Sequence, residues 1–176
     1  MRIVGLDIGE NTGFSCFDLD DGFNLKAIFV SDIFVKEYNE FYIFNVAKKI
    51  ENCVKVFNAE LVFIEGYAFG GRGFFNVIQS ELTAQVKRFF VDNSIGFYEV
   101  PLSTMRAALL GNGRAKKSDA RHFVKLFLEN CEFGVCNFSG HVFDSLLVSI
   151  FCFKYLRREL DDSLIEKISN SIIGRR

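Results

Sequence analysis

The sequence has no tryptophan, one proline and only two histidines. None of its five cysteines (Cys16, Cys53, Cys131, Cys136 and Cys152) stands in a Cys-x-x-Cys pair. The two histidines do not complete a zinc pattern with them. Odd in number and scattered, the cysteines read as reduced, buried thiols in a reducing compartment. Long apolar runs are also missing. The longest, Leu146 to Phe153, contains a serine and ends at Lys154, which is too short to span a bilayer. No apolar leader with a small-residue cleavage site follows Met1-Arg2. The expected location is therefore the cytoplasm, or the host cytoplasm for a phage or viral protein. No repeat, linker or low-complexity segment divides the 176 residues, so one domain over residues 1–176 is expected. No Gly-Lys-Ser/Thr follows the glycine-rich stretch at 66–73, which excludes a P-loop.

What is present is a core-forming chain, 49% hydrophobic and 24% charged. Its 22 phenylalanines are expected mostly inside. The net charge of −1 is unevenly spread. Residues 1–71 carry 6 basic and 11 acidic side chains, residues 72–125 carry 9 and 4, and residues 126–176 carry 6 and 7. A locally basic middle suits phosphate binding, because each contact releases condensed counterions. It is equally what a solvated helix face would show.

Arg2–Asp7, Phe14–Leu19 and Leu25–Val30 read as three strands joined by tight turns at Gly9–Gly13 and Asp20-Asp21-Gly22, an antiparallel meander. Residues 41–57 have helical spacing, with Phe41, Phe44, Val46, Ile50, Val54 and Phe57 as the apolar positions. Leu61–Ile64 is a short, wholly apolar run of the kind that forms a buried parallel strand, and it ends in Glu65. A helix over 76–91 should bury Val77, Leu82, Val86 and Phe89/Phe90. Ile95–Val100 is a strand stopped by Pro101. Helices follow at Ser103–Leu110, broken by Gly111-Asn112-Gly113, then at Ser118–Leu128, His141–Leu156 and Asp162–Ile173. A meander followed by strand–helix alternation predicts an α/β fold. Its sheet is mixed, with three antiparallel and two parallel strands, and helices flank it.

Four residues stand out chemically. Asp7 and Glu65 each end a short apolar strand. If both strands are central, the two carboxylates meet at one sheet edge. His141 and Asp144 lie three apart at the start of a very apolar helix and so share a face. Buried carboxylates are costly unless paired or bound to metal. Three hard oxygen donors and an imidazole suit Mg2+ or Mn2+ better than zinc. Two such ions can clamp the attacking and leaving oxygens of a phosphodiester displacement. Each residue alone has a plainer reading, as a turn, a cap or a helix start; the set together is more specific.

These residues sit in runs that resemble a known family. Gly5-Leu6-Asp7-Ile8-Gly9 with Asn11-Thr12-Gly13-Phe14 is similar to the first motif of the RuvC Holliday-junction resolvases, of the RNase H-like superfamily. Phe63-Ile64-Glu65-Gly66-Tyr67-Ala68-Phe69 resembles the second motif. Gly111-Asn112-Gly113-Arg114-Ala115-Lys116-Lys117-Ser118 resembles the family's Gly-x-Gly-x-Ala-x-Lys segment, and His141-x-x-Asp144 resembles the last motif. The similarity runs in order to about residue 155, departing at Ile8, where proline is usual, and in the helix at 75–93.

The resemblance implies an RNase H-like fold and a structure-selective DNA endonuclease that resolves four-way junctions with two Mg2+ (or Mn2+) ions. Asp7, Glu65 and Asp144 would hold the metals, and His141 would be a further metal ligand or help to position the nucleophilic water. Lys117 would join them as a catalytic residue at the scissile phosphate. Arg106, across an alignment gap, and Arg114, Lys116 and Arg121 would bind DNA. Phe69 would stack at the junction centre, with Tyr67 and Phe74 beside it and Arg72 on the glycine-rich loop. Phe74 and Phe75 could equally open the core face of the next helix. The symmetry of a junction implies a homodimer, through the helix at 75–93. Other readings are a nuclease for other branched DNA or RNA, an actin-like ATPase, for which one domain is too few, and a catalytically silent binding module.

Overall fold

A computed structural model describes residues 1–36, 41–66, 74–134 and 137–171, without the side chains of 74–76. The elements are β1 (Arg2–Asp7), β2 (Thr12–Leu19), β3 (Leu25–Ile33), α1 (Tyr42–Val56), β4 (Leu61–Gly66) and α2 (Phe74–Asp92). They continue as β5 (Gly96–Pro101), α3 (Leu102–Leu110), α4 (Lys117–Asn130), α5 (Gly140–Leu156) and α6 (Asp162–Ser171). Among the described residues no helix is long and apolar enough to cross a membrane.

The five strands form one sheet in the order β3-β2-β1-β4-β5. The β1–β2 and β2–β3 pairs are antiparallel, and β4 runs parallel to both β1 and β5. This is the expected mixed sheet. Strand β3 runs three residues further than its apolar pattern foretold. The ladder continues through Ser31 and Asp32 to Ile33, because an edge strand can turn polar side chains to water and still pair.

Separate cores cover the two sheet faces. Ile3, Phe17, Leu61 and Phe63 face α3, α4, α5 and α6. Val4, Leu6, Val62 and Ile64 face α1 and α2. Strands β1 and β4 are thus buried on both sides, which is why they are apolar runs and not alternating ones.

Two helical stripes differ from expectation. In α1 the buried positions are Tyr42, Val46, Ala47, Ile50 and Val54. Phe41 and Phe44 are each 59% exposed. In α2, Val77 is 54% exposed and Ile78, at 7%, takes the inner place with Leu82 and Val86. At about 100° per residue, positions 78, 82 and 86 share a stripe that position 77 leaves.

Helix α5 is buried along nearly its whole length. It lies against β1 and β2 at an unusually short distance. A Cβ added at Gly5 would stand 2.4 Å from the Ser145 carbonyl oxygen and 2.6 Å from Ser149 Oγ. One added at Gly13 would stand 1.9 Å from the His141 carbonyl oxygen. Between these points Ser15 Oγ donates to the Ser145 carbonyl (2.7 Å) and shares a 2.8 Å hydrogen bond with Ser149 Oγ. All three serines are fully buried, and their bonds satisfy polar groups inside the core.

Replacing Gly5 by Ala should therefore push α5 off the sheet, since the obstacle is backbone. A loss of about 2 kcal/mol or more is expected in urea unfolding, the scale of overpacking in a close-packed core. A variant within about 0.5 kcal/mol of the wild type, the usual range for an uneventful surface change, would show that α5 does not approach this closely.

Candidate active site

The parallel register pairs Leu6 with Ile64, so the next residues, Asp7 and Glu65, stand side by side where β1 and β4 end. Each lies an even number of residues from positions in the α5-facing core (Ile3; Leu61 and Phe63), so both side chains turn towards α5. There α5 begins. Ser139 caps it, its Oγ accepting from the Val142 N–H at 3.1 Å. The first turn then presents His141 and Asp144. The Ser139 hydroxyl also donates to Asp32 Oδ1 (2.5 Å), tying the head of α5 to edge strand β3.

The loop after Asp7 is held from three sides. Thr12 Oγ1 bonds to the Gly9 carbonyl and N–H, the Ile8 carbonyl accepts from Gln79 Nε2, and the Glu10 carbonyl accepts from Tyr42 Oη. Ile8, where the resembled family has proline, is buried.

The structure brings all five expected catalytic residues together. His141 Nδ1 lies 3.0 Å from Asp7 Oδ2. Lys117, first residue of α4, places Nζ 2.5 Å from Asp144 Oδ2. Glu65 has no such partner, and its Oε2 is buried without a hydrogen bond. Burial, followed by repulsion from Asp7 and Asp144, pushes the Glu65 carboxyl up to about 8. Burial also raises Asp144, outweighing its bond to Lys117. His141 is raised chiefly by its hydrogen bond to Asp7.

A divalent cation fits this donor set. Three carboxylates crowd where one buried oxygen is unsatisfied, and a hard ion would relieve both conditions. Among the described residues no three ligating side chains form a ready-made metal cage. The Lys117 ammonium on Asp144 and the His141 ring on Asp7 now stand against two of the acids.

Of the expected DNA contacts, Arg106 lies near enough to draw the Glu65 carboxyl downward, and its Nε is buried without a partner. Arg121 acts likewise on Asp144. Arg114 and Lys116 are exposed beside the start of α4. Tyr67, Phe69 and Arg72 lie outside the described residues, as does the side chain of Phe74, whose backbone opens α2. Sequence reasoning missed Ser139 and Asp32, although a serine two residues before His141 is a cap signal. Asp119 is a capping residue: its Oδ2 accepts the Lys116 N–H at 3.0 Å.

Neither a protein-family model nor a curated protein sequence matches the chain. Solved structures do. Thermus thermophilus RuvC in complex with a Holliday junction substrate superposes with a TM-score of 0.72 at 17% identity, covering 90% of this chain and 96% of that one. The fowlpox virus resolvase, in complex with substrate Holliday junction DNA, gives 0.59 at 18%, covering 92% and 100%. The yeast mitochondrial Holliday junction resolvase gives 0.62 at 11%, covering 86% and 77%. The chain has the RuvC-like RNase H fold.

The raised carboxyls make the metal-free protein pH-sensitive in a defined direction. Folded Glu65 keeps its proton up to about 8, whereas the unfolded chain releases it near 4.5. Between those values the folded state binds more protons, so stability should fall as pH rises. Asp144 and His141, also raised, act in the same sense. In EDTA, Glu65→Gln should melt higher than wild type at the alkaline end and show a flatter pH dependence. A wild-type melting temperature that climbs through this window would contradict the assignment.

Proposed function

We propose that the chain is a structure-selective DNA endonuclease that resolves four-way junctions by metal-assisted phosphodiester hydrolysis, nicking two opposed strands symmetrically. The observation that carries this is the meeting of Asp7, Glu65 and Asp144 at one point on a RuvC-like fold, with Glu65 buried and unpartnered. The solved neighbours with that fold are described as junction resolvases, two of them holding junction DNA.

In this reading Asp7, Glu65 and Asp144, with His141, hold two Mg2+ or Mn2+ ions. Bound there, the ions would supply the Lewis-acid chemistry that activates the attacking water and stabilises the leaving oxygen. The chain's own groups do the rest. His141, bonded to Asp7 through Nδ1, leaves Nε2 for an ion or for positioning the attacking water. Lys117 moves its ammonium from Asp144 to the phosphate oxygens, where negative charge grows. Arg106, Arg114, Lys116 and Arg121 bind the strand's phosphates. Tyr67, Phe69, Arg72 and Phe74 engage the opened junction, the aromatic rings by stacking on bases, which needs only a π face.

Paired cuts call for two sites related by a two-fold axis, so the active species is a homodimer. Val77 and Val91 of α2 and Phe44 of α1 are exposed apolar side chains that support an interface through α2. A monomeric mass at micromolar concentration would count against it.

The assay is cleavage of a labelled four-way junction beside matched duplex, flap and RNA–DNA hybrid, with Mg2+ or EDTA. Symmetric nicks in the junction alone are expected, abolished by EDTA. Asp7→Asn should slow them on the order of 10^2-fold or more, the scale of losing one transition-state stabiliser. Preferential cutting of flaps or hybrids would move the function to another branched or hybrid substrate. Junction binding without cleavage under any divalent metal would leave a binding module.

A further inference from the structure

We infer that Arg121 and Lys125 extend the active site along α4 as a track for the backbone of the strand being cut, taking the phosphates that follow the one at Lys117. The inference rests on the nuclease reading above and adds to it a direction and a residue, Lys125, that no motif singles out.

Lys117, Arg121 and Lys125 are spaced four apart on α4. They therefore form one row, each about 6 Å further along the axis. The row starts inside the carboxylate cluster, because Lys117 Nζ rests on Asp144. Its other two members converge on one ring. The Arg121 guanidinium stands 5.8 Å and the Lys125 ammonium 5.9 Å from the centroid of Phe143, the residue before Asp144. Phe143 is buried, so this ring is a fixed platform. Arg121 also reaches the head of α5: a Cβ at Gly140 would stand 2.8 Å from Arg121 Nη2 and 3.8 Å from Lys117 Nζ.

Neither Arg121 nor Lys125 forms an ion pair among the described residues. Arg2, Lys48, Lys87, Arg88, Lys154 and Arg157 all do. Two like charges share one ring, and Arg121 also draws the Asp144 carboxyl downward, so the row stays in electrostatic contact with the carboxylate cluster. A row of about 12 Å matches three to four nucleotides of one B-form strand at ~3.4 Å each. The row spans the length of that short stretch of strand and leads to the acids that would act on one of its phosphates.

The test is binding of a fluorescent four-way junction, a duplex and a single strand to the full chain carrying Asp7→Asn, titrated with KCl. Arg121→Gln and Lys125→Gln should each take about 0.9 off the slope of log K against log salt, and the double variant about 1.8. Junctions of different sequence should weaken equally, since phosphates carry no sequence information. Arg121→Lys should keep the parent slope, and Lys48→Gln, on the opposite face of the sheet, should not change it. Junction binding with unchanged slopes in both glutamine variants overturns the track and leaves the nuclease reading standing. A parent that binds none of the three nucleic acids overturns both.

Discussion

The site depends on how closely α5 can lie on β1 and β2. Asp144 and His141 belong to the helix, Asp7 and Glu65 to the sheet, and they meet only if the layers nearly touch. Gly5 and Gly13 remove the side chains that would hold them apart. The buried Ser15, Ser145 and Ser149 then satisfy the polar atoms exposed by so close an approach. A helix packed on a sheet through ordinary apolar side chains would stand further off and carry Asp144 away from Glu65. The same constraint explains a helix with polar residues at two of its deepest positions in an otherwise apolar core.

Closeness has an electrostatic consequence. Three carboxylates gather where water is largely excluded, and the fold answers only two of them, with the His141 ring and the Lys117 ammonium. Glu65 is left protonated to about 8 and one oxygen is left unbonded. A chain shaped for stability alone would put an apolar residue there, since buried ion clusters are commonly matched by well-packed hydrophobic ones. The unpartnered acid is local and backed by well-satisfied structure, the pattern expected of a functional site.

Much of this was legible in the sequence. The meander, the parallel apolar strand ending in Glu65 and the helix headed by His141 and Asp144 all lie where period and turn chemistry put them. Adjacency of the two acids followed once both strands were taken as central, because parallel strands of a buried sheet end together. Other features were not legible. Val77 and Ile78 are both apolar neighbours, and a stripe read without its partner surface can rotate by one residue. The clash that Gly5 avoids is with Ser145, 140 residues away, so no local pattern announces it. The bond from Ser139 to Asp32 likewise joins segments that only the folded topology brings together.

Charge was the hardest property to read, because the total and the arrangement say opposite things. A net charge of −1 argues against a polyanionic partner. Yet several acids are spent within the protein, as ion-pair partners of Arg2, Lys48, Lys87 and Arg88, as caps such as Asp119, or in the carboxylate cluster. Several cations of the middle segment are not spent in this way, and they collect around the start of α4 and the head of α5. Attraction of a phosphate backbone depends on potential at the surface it meets, and screening confines that potential to about 10 Å at ordinary salt. For the proposed function, a small cluster of cations beside the carboxylates would therefore be enough. In the proposed function, positive charge gathered at the site would favour a strand placed across it.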